Sequence, residues 1–117
     1  MNTLRIESCS FGSIVIDGKT YSDDLIVLPG GGILKPWRRQ RGHQLNINDL
    51  TTLLDSAPEI IVAGTGFNGR VKPDETLAKD LSRLAIELIA APNEEAIRRL
   101  NGLKPEKRVG ACFHLTC

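Results

Sequence analysis

The stretch 58–69, PEIIVAGTGFNG, constrains the fold more than any other part of the chain. Ile60, Ile61, Val62 and Ala63 run without polar alternation, which predicts a strand covered on both faces, as in the parallel core of an α/β sheet. Gly64-Thr65-Gly66 follows at once, where a chain can turn sharply or let another group approach its backbone closely. A buried strand delivering a glycine-rich loop is therefore the expected centre of the molecule.

The flanking sequence supplies partners for that strand. Phe11 to Ile16 reads as a short strand, Asp17-Gly18 as a hairpin turn, and Lys19 to Ser22 as the antiparallel return. Asp23-Asp24 breaks the run before a third strand, Leu25 to Leu28, which Pro29 and three glycines end. Gly30 to Gln44 has no period and is expected to be a long surface loop. Asn48 is the expected N-cap of a short helix carrying Leu50, Leu53 and Leu54, with Pro58 beyond its end. Pro73-Asp74-Glu75 is expected to start a second helix whose inward face is Leu77, Leu81, Leu84 and Ala85. Leu88 to Ala91 is a further strand, Asn93 the expected cap of a last helix with Ala96, Ile97 and Leu100 inward, and Arg108 to Leu115 a final strand. This order, hairpin, strand, helix, then β-α-β-α-β, predicts an α/β fold in one domain spanning 1–117, with a mixed sheet and a parallel crossover through the second helix.

Composition bounds the function. Formal charge is +1, from 15 basic and 14 acidic residues, so no global field draws the chain to nucleic acid or an anionic membrane. No apolar run approaches the roughly 20 residues needed to span a bilayer, and Met1-Asn2-Thr3-Leu4-Arg5 does not lead into a signal-peptide core. Cys9, Cys112 and Cys117 are an odd set without CxxC spacing, which argues against a disulfide framework or a zinc finger. A cytoplasmic chain with reduced thiols is expected, with no cofactor and no metal, and with no nucleic-acid or membrane partner.

Three clusters are candidate sites. Gly64, Gly66 and Gly69 satisfy G-x-G-x-x-G after a strand, but a dinucleotide loop opens directly into its helix, whereas Arg70-Val71-Lys72 intervene before Pro73. A structural turn is preferred there, with a small anion held by backbone N–H groups of Gly64, Thr65 and Gly66 and by Arg70 as the functional reading. Lys35, Trp37, Arg38, Arg39, Arg41 and His43 concentrate positive charge and one aromatic, which suits a phosphate or carboxylate. The preferred reading is a solvated loop that pairs these arginines with Asp23, Asp24 or Asp55 and uses Trp37 to cover the sheet edge. At the chain's end, strand alternation would set Cys112, His114 and Thr116 on one face, where a thiol and an imidazole could form a nucleophile or a metal-ligand pair. Packing is preferred, since buried Cys is commonly inert and zinc normally takes four ligands with at least one tight pair.

Several of these residues together carry a family resemblance. Phe11-Gly12, Asp17-Gly18 with Tyr21 and Asp24, Pro29-Gly30, Trp37, Gly42-His43, Asp49-Leu50, Pro58-Glu59, Gly64-Thr65-Gly66 and the ending Phe113-His114-Leu115-Thr116-Cys117 resemble the Mth938-like family. Its animal members include an adipogenesis-associated protein and a mitochondrial complex I assembly factor. Leu100 stands where many relatives carry an aromatic residue. The resemblance implies a compact α/β fold with a mixed sheet, no established reaction, and by analogy an assembly or regulatory role. The expected function is a non-catalytic binding module with a cleft near the Gly64–Gly69 loop, taking an anionic small molecule or a protein partner. The alternative is a small enzyme using His114, His43 or Cys112 beside that loop.

Overall fold

A computed structural model describes residues 5–104 and 106–117. The opening residues Met1 to Leu4, expected not to lead into a signal-peptide core, lie outside the described residues. The chain forms strands β1 (Ile6–Ser10), β2 (Ser13–Ile16), β3 (Lys19–Tyr21), β4 (Leu25–Val27), β5 (Ile33–Leu34) and β6 (Gln44–Leu45), then a 3-10 turn (Ile47–Leu50) leading into helix α1 (Thr51–Asp55). Strands β7 (Ile60–Gly64) and β8 (Lys72–Pro73), helix α2 (Leu77–Arg83), strand β9 (Glu87–Ala91), helix α3 (Asn93–Asn101) and strand β10 (Val109–Phe113) complete it.

The central sheet is mixed, in the order β5-β4-β10-β7-β9. Strand β7 pairs in parallel with both β9 and β10, while β10 pairs antiparallel with β4. All five residues of β7 are buried, as an apolar run without alternation requires. Ile60 and Val62 join one core, in which Ile6, Ile14 and Ile16 of a separate three-stranded antiparallel sheet, β1-β2-β3, pack with Ala96 and Ile97 of α3. Ile61 and Ala63 join a second core with Leu50, Leu53, Leu77 and Leu81 from the helical segments. Each fully buried aliphatic side chain contributes about 1.5–3 kcal/mol of transfer free energy, so a strand buried on both faces is the natural anchor.

Four sequence expectations are corrected. The hairpin gains a strand, β1, because Phe11-Gly12 forms a turn and does not begin the strand; Gly12 has φ +86 and its N–H donates to Leu115 O at 2.8 Å. The cap of the first helical segment is Asn46, not Asn48: its side chain accepts from Asn48 N, and Asp49 answers from the third position to complete a capping box. Pro73 belongs to β8, and α2 begins only at Leu77. That helix also stops early, because Ala85 takes φ +61, Ala85 N bonds Ser82 O and Ile86 N bonds Leu81 O, which is a Schellman ending. Leu84 is consequently 55% exposed and Ala85 is exposed, while Ile86 fills the inward position.

The segment Gly30 to Gln44 is not a simple surface loop. It contains β5 and carries Trp37 into the second core, where the indole N–H donates to Asp49 O at 2.9 Å. Its last residues pair, through β6, in parallel with β8, immediately beyond the glycine loop. That short pairing brings His43 to the end of the central sheet, with Lys72 N donating to His43 O at 2.9 Å.

Candidate functional site

The carboxyl ends of β7, β9 and β10 meet at the glycine loop. His114 follows β10 directly, its N–H donating to Gly64 O at 3.1 Å. Asn93, fully buried, bridges the two segments: its amide donates to His114 O at 2.7 Å and its carbonyl oxygen accepts from Gly66 N at 3.1 Å. Asn93 is therefore no helix cap; Pro92 occupies that position, and the asparagine side chain is committed to the strand ends. Gly64 is required for packing, since a Cβ there would strike the Phe113 ring and Asn93 Oδ1.

The glycine loop spends its backbone donors inside the protein. Thr65 N bonds Ala91 O, Phe67 N bonds Thr116 O, Gly69 N bonds Gly66 O, Arg70 N bonds Cys117 O and Val71 N bonds Thr65 O, at 2.9–3.2 Å. Gly66 adopts φ +117, and a Cβ on it would lie 2.7 Å from Thr116 O. The loop thus clasps residues 116 and 117, and neither Gly64 nor Thr65 nor Gly66 turns a free N–H outward. Of the residues expected to bind an anion there, Arg70 alone is exposed.

The basic segment divides similarly. Arg38 is exposed, whereas Trp37 is buried and the Arg39 side chain is only 7% exposed. The Arg39 guanidinium lies 4.9 Å from the Trp37 ring centroid, donates to Gly42 O at 2.8 Å and pairs with Asp24 Oδ2 at 3.2 Å. Trp37 and Arg39 are thus interior supports and not surface ligand groups, which corrects the anion-clamp expectation for both.

Asp24 connects this support to His114. Its Oδ1 accepts from Leu115 N at 2.9 Å, and its Oδ2 lies 2.7 Å from His114 Nδ1. Arg39 Nη2 also approaches Nδ1, at 3.0 Å. A guanidinium only donates and a carboxylate only accepts, so Nδ1 satisfies one of them. The shorter contact to the charged oxygen assigns the proton to Nδ1, with Arg39 bonded to the same carboxylate. In the neutral ring the Nε2 lone pair then faces Thr116, whose hydroxyl lies 3.3 Å away and is placed to donate to it. His43, exposed above this edge, stacks edge-on to His114 with centroids 6.1 Å apart. Donor atoms of His43, His114 and Cys117 all lie within 4.8 Å of one another.

Cys112 does not join them. It is fully buried in the second core, and burial pushes its thiol up to about 12, with Arg39 opposing and Asp49 and Asp24 adding to the rise. The thiol stays protonated at neutral pH and serves packing, which removes it as a nucleophile. Cys9, Cys112 and Cys117 are all free. Beside the clasped segment, Phe11 and Phe67 are 59% and 45% exposed and meet edge to face at 6.1 Å. A cavity of about 600 Å³ lies instead at the opposite end of β10, lined by Ile6, Val27, Leu103 and Val109 with Arg5 and Lys107, and holds none of the sequence candidates.

Asn93, read from the pattern as a helix cap, is committed instead to the strand ends. Asp24, read as a strand breaker and as a partner for the basic segment's arginines, makes that pairing with Arg39 and adds His114 and Leu115 N.

A family model described as a protein of unknown function (DUF498/DUF598) matches residues 6–114. The chain belongs to this Mth938-like family. Solved structures agree. A conserved hypothetical protein of Pyrococcus horikoshii is 30% identical, with TM-score 0.82 over 97% of this chain and 99% of that one. The protein MT938 is 27% identical, with TM-score 0.81 over 98% of this chain and 100% of that one. A Bordetella pertussis protein described as a Mth938-like domain shares the fold at 18% identity, TM-score 0.61, covering 96% and 85% of the two chains. Among curated proteins none matches. This Mth938-like domain is thus an α/β fold with a mixed sheet, of a family without an assigned function, and among the described residues no helix is long and apolar enough to cross a membrane.

Proposed function

We propose that this Mth938-like domain is a non-catalytic binding module, of assembly or regulatory kind, that engages an acidic partner segment on the face around residues 114–117. The observation that carries the reading is the use of the glycine loop as a clasp: its N–H groups hold residues 116 and 117, while Phe67, in contact with Phe11, and Arg70 are left exposed. Paired exposed aromatics flanked by an arginine have the make-up of an interface anchor. Three unpaired thiols support a cytoplasmic setting.

The enzyme alternative draws on one specific observation, the alignment of Asp24, His114 and the Thr116 hydroxyl at 2.7 and 3.3 Å, which resembles an acid–base relay. It is the weaker reading, because the loop donors that would stabilise an oxyanion are already engaged and Cys112 is enclosed.

The test is an amide NMR titration with a glutamate-rich peptide carrying one aromatic residue. Shifts are expected to centre on Phe11, Phe67 and Arg70 and to weaken with salt, and Arg70→Glu and Phe67→Ala should each reduce affinity about tenfold or more. Shifts centred on Lys104 and Lys107 would overturn the reading. Response to inorganic phosphate but not to the peptide would make the ligand a small anion.

A further inference from the structure

We propose that His43, His114 and Cys117 form a binding site for a divalent transition metal of zinc's type. The cluster is assembled from two distant parts of the chain: His43 at the approach to β6, and His114 with Cys117, three residues on, beyond the end of β10. Two imidazoles and a thiolate are the donor set that zinc prefers over harder cations.

Distances permit it. With metal–nitrogen bonds of about 2.0–2.1 Å and a metal–sulfur bond of about 2.3 Å, donors around a tetrahedral ion sit roughly 3.3–3.7 Å apart. Donors already within 4.8 Å of each other need contract by only about 1 Å. His43 is exposed and Cys117 half-buried, so both have room to move, whereas His114 is buried and fixed.

The independent observation is the orientation of His114. Metal-bound histidines donate their second ring N–H to a carboxylate, which fixes the tautomer and raises ligand basicity. Asp24 does this at Nδ1, leaving the Nε2 lone pair on the side of Thr116. On metal binding the Thr116 hydroxyl releases Nε2, and the fourth position is left to water. Three protein ligands and an open position make a site that exchanges its ion, unlike the closed four-ligand sites that hold small folds together.

The proposal does not depend on the acidic partner, and its test uses metal alone. Cobalt(II) is titrated into the reduced protein under a non-chelating phosphine reductant, followed by competition with zinc. One equivalent is expected to give intense tetrahedral d–d bands with thiolate-to-cobalt charge transfer, and zinc should bleach both. His43→Ala and Cys117→Ser, at positions outside the core, should each weaken binding more than about 100-fold, and Asp24→Asn about 10- to 100-fold with every ligand retained. Absence of the charge-transfer band, or affinity unchanged in both His43→Ala and Cys117→Ser, would overturn the site whatever the fate of Asp24→Asn.

Discussion

Gly66→Val is expected to destabilise the fold by about 3–5 kcal/mol, combining backbone strain of about 1–3 kcal/mol with overpacking of similar size. The backbone at this position has φ +117, which side chains rarely adopt, and the added carbon would meet Thr116 O at 2.7 Å and the Cys117 carbonyl carbon at 2.9 Å. Those are main-chain atoms held by Phe67 N and Arg70 N, so no flexible side chain can absorb the clash. Gly12→Ala is the control. It has φ +86 with nothing within 4 Å of its added carbon, so it should lose only about 1 kcal/mol, the strain alone. Urea midpoints at unchanged slope measure both. Equal losses in the two variants would mean that the close approach to residues 116 and 117 contributes nothing.

Asp24→Ala should cost about 3 kcal/mol, near the low end for removing one partner of a buried pair, because Asp24 retains some contact with solvent. Its side chain is 21% exposed, while those of Arg39 and His114 are 7% and 10% exposed. The substitution takes acceptors from Leu115 N, Arg39 and His114 Nδ1 together. Arg39 keeps Gly42 O and the Trp37 face but loses its counter-charge. Asp24→Asn retains an acceptor for Leu115 N and should recover roughly half of the loss. A loss under about 1 kcal/mol for Asp24→Ala would show that water replaces the carboxylate, and that the network does not hold the sheet end together.

The fold was legible where a single physical rule governs a stretch. Four apolar residues in a row required a strand buried on both faces, and Ile60 to Ala63 are such a strand. Asp17-Gly18 required a turn, and β2 pairs with β3 across it. The misreadings fall where tertiary contacts outweigh local pattern. Pro73 resembles a helix start, yet pairing with Leu45 in a two-residue parallel bridge places it in a strand. Asn93 resembles a cap, yet two buried partners claim its side chain. Leu84 fits the helical period, but Ala85 in the left-handed region ends the helix before the period is completed.

The candidate site was legible in composition but not in assembly. His43, His114 and the glycine loop were each conspicuous, and the structure brings all three to one edge. Their joining depends on the β6–β8 pairing and on the clasp at Gly66, neither of which has a spacing signature. The roles within the set also depend on burial. Trp37 and Arg39 stand beside exposed Arg38 in the sequence, but only Arg38 reaches solvent freely, because the indole fills the second core and draws the guanidinium over it. Cys112 and Cys117 differ in the same way, one enclosed by the helices and the other half-buried at the edge.

The arrangement rests on one proton, the one that Asp24 holds on His114 Nδ1. A long-range proton–nitrogen NMR correlation of the imidazole rings reads its position directly. The neutral His114 ring is expected to carry its proton on Nδ1, with Nε2 bare. A neutral His114 ring protonated on Nε2, with Nδ1 accepting from Arg39, would contradict it and take the ring's lone pair away from Thr116.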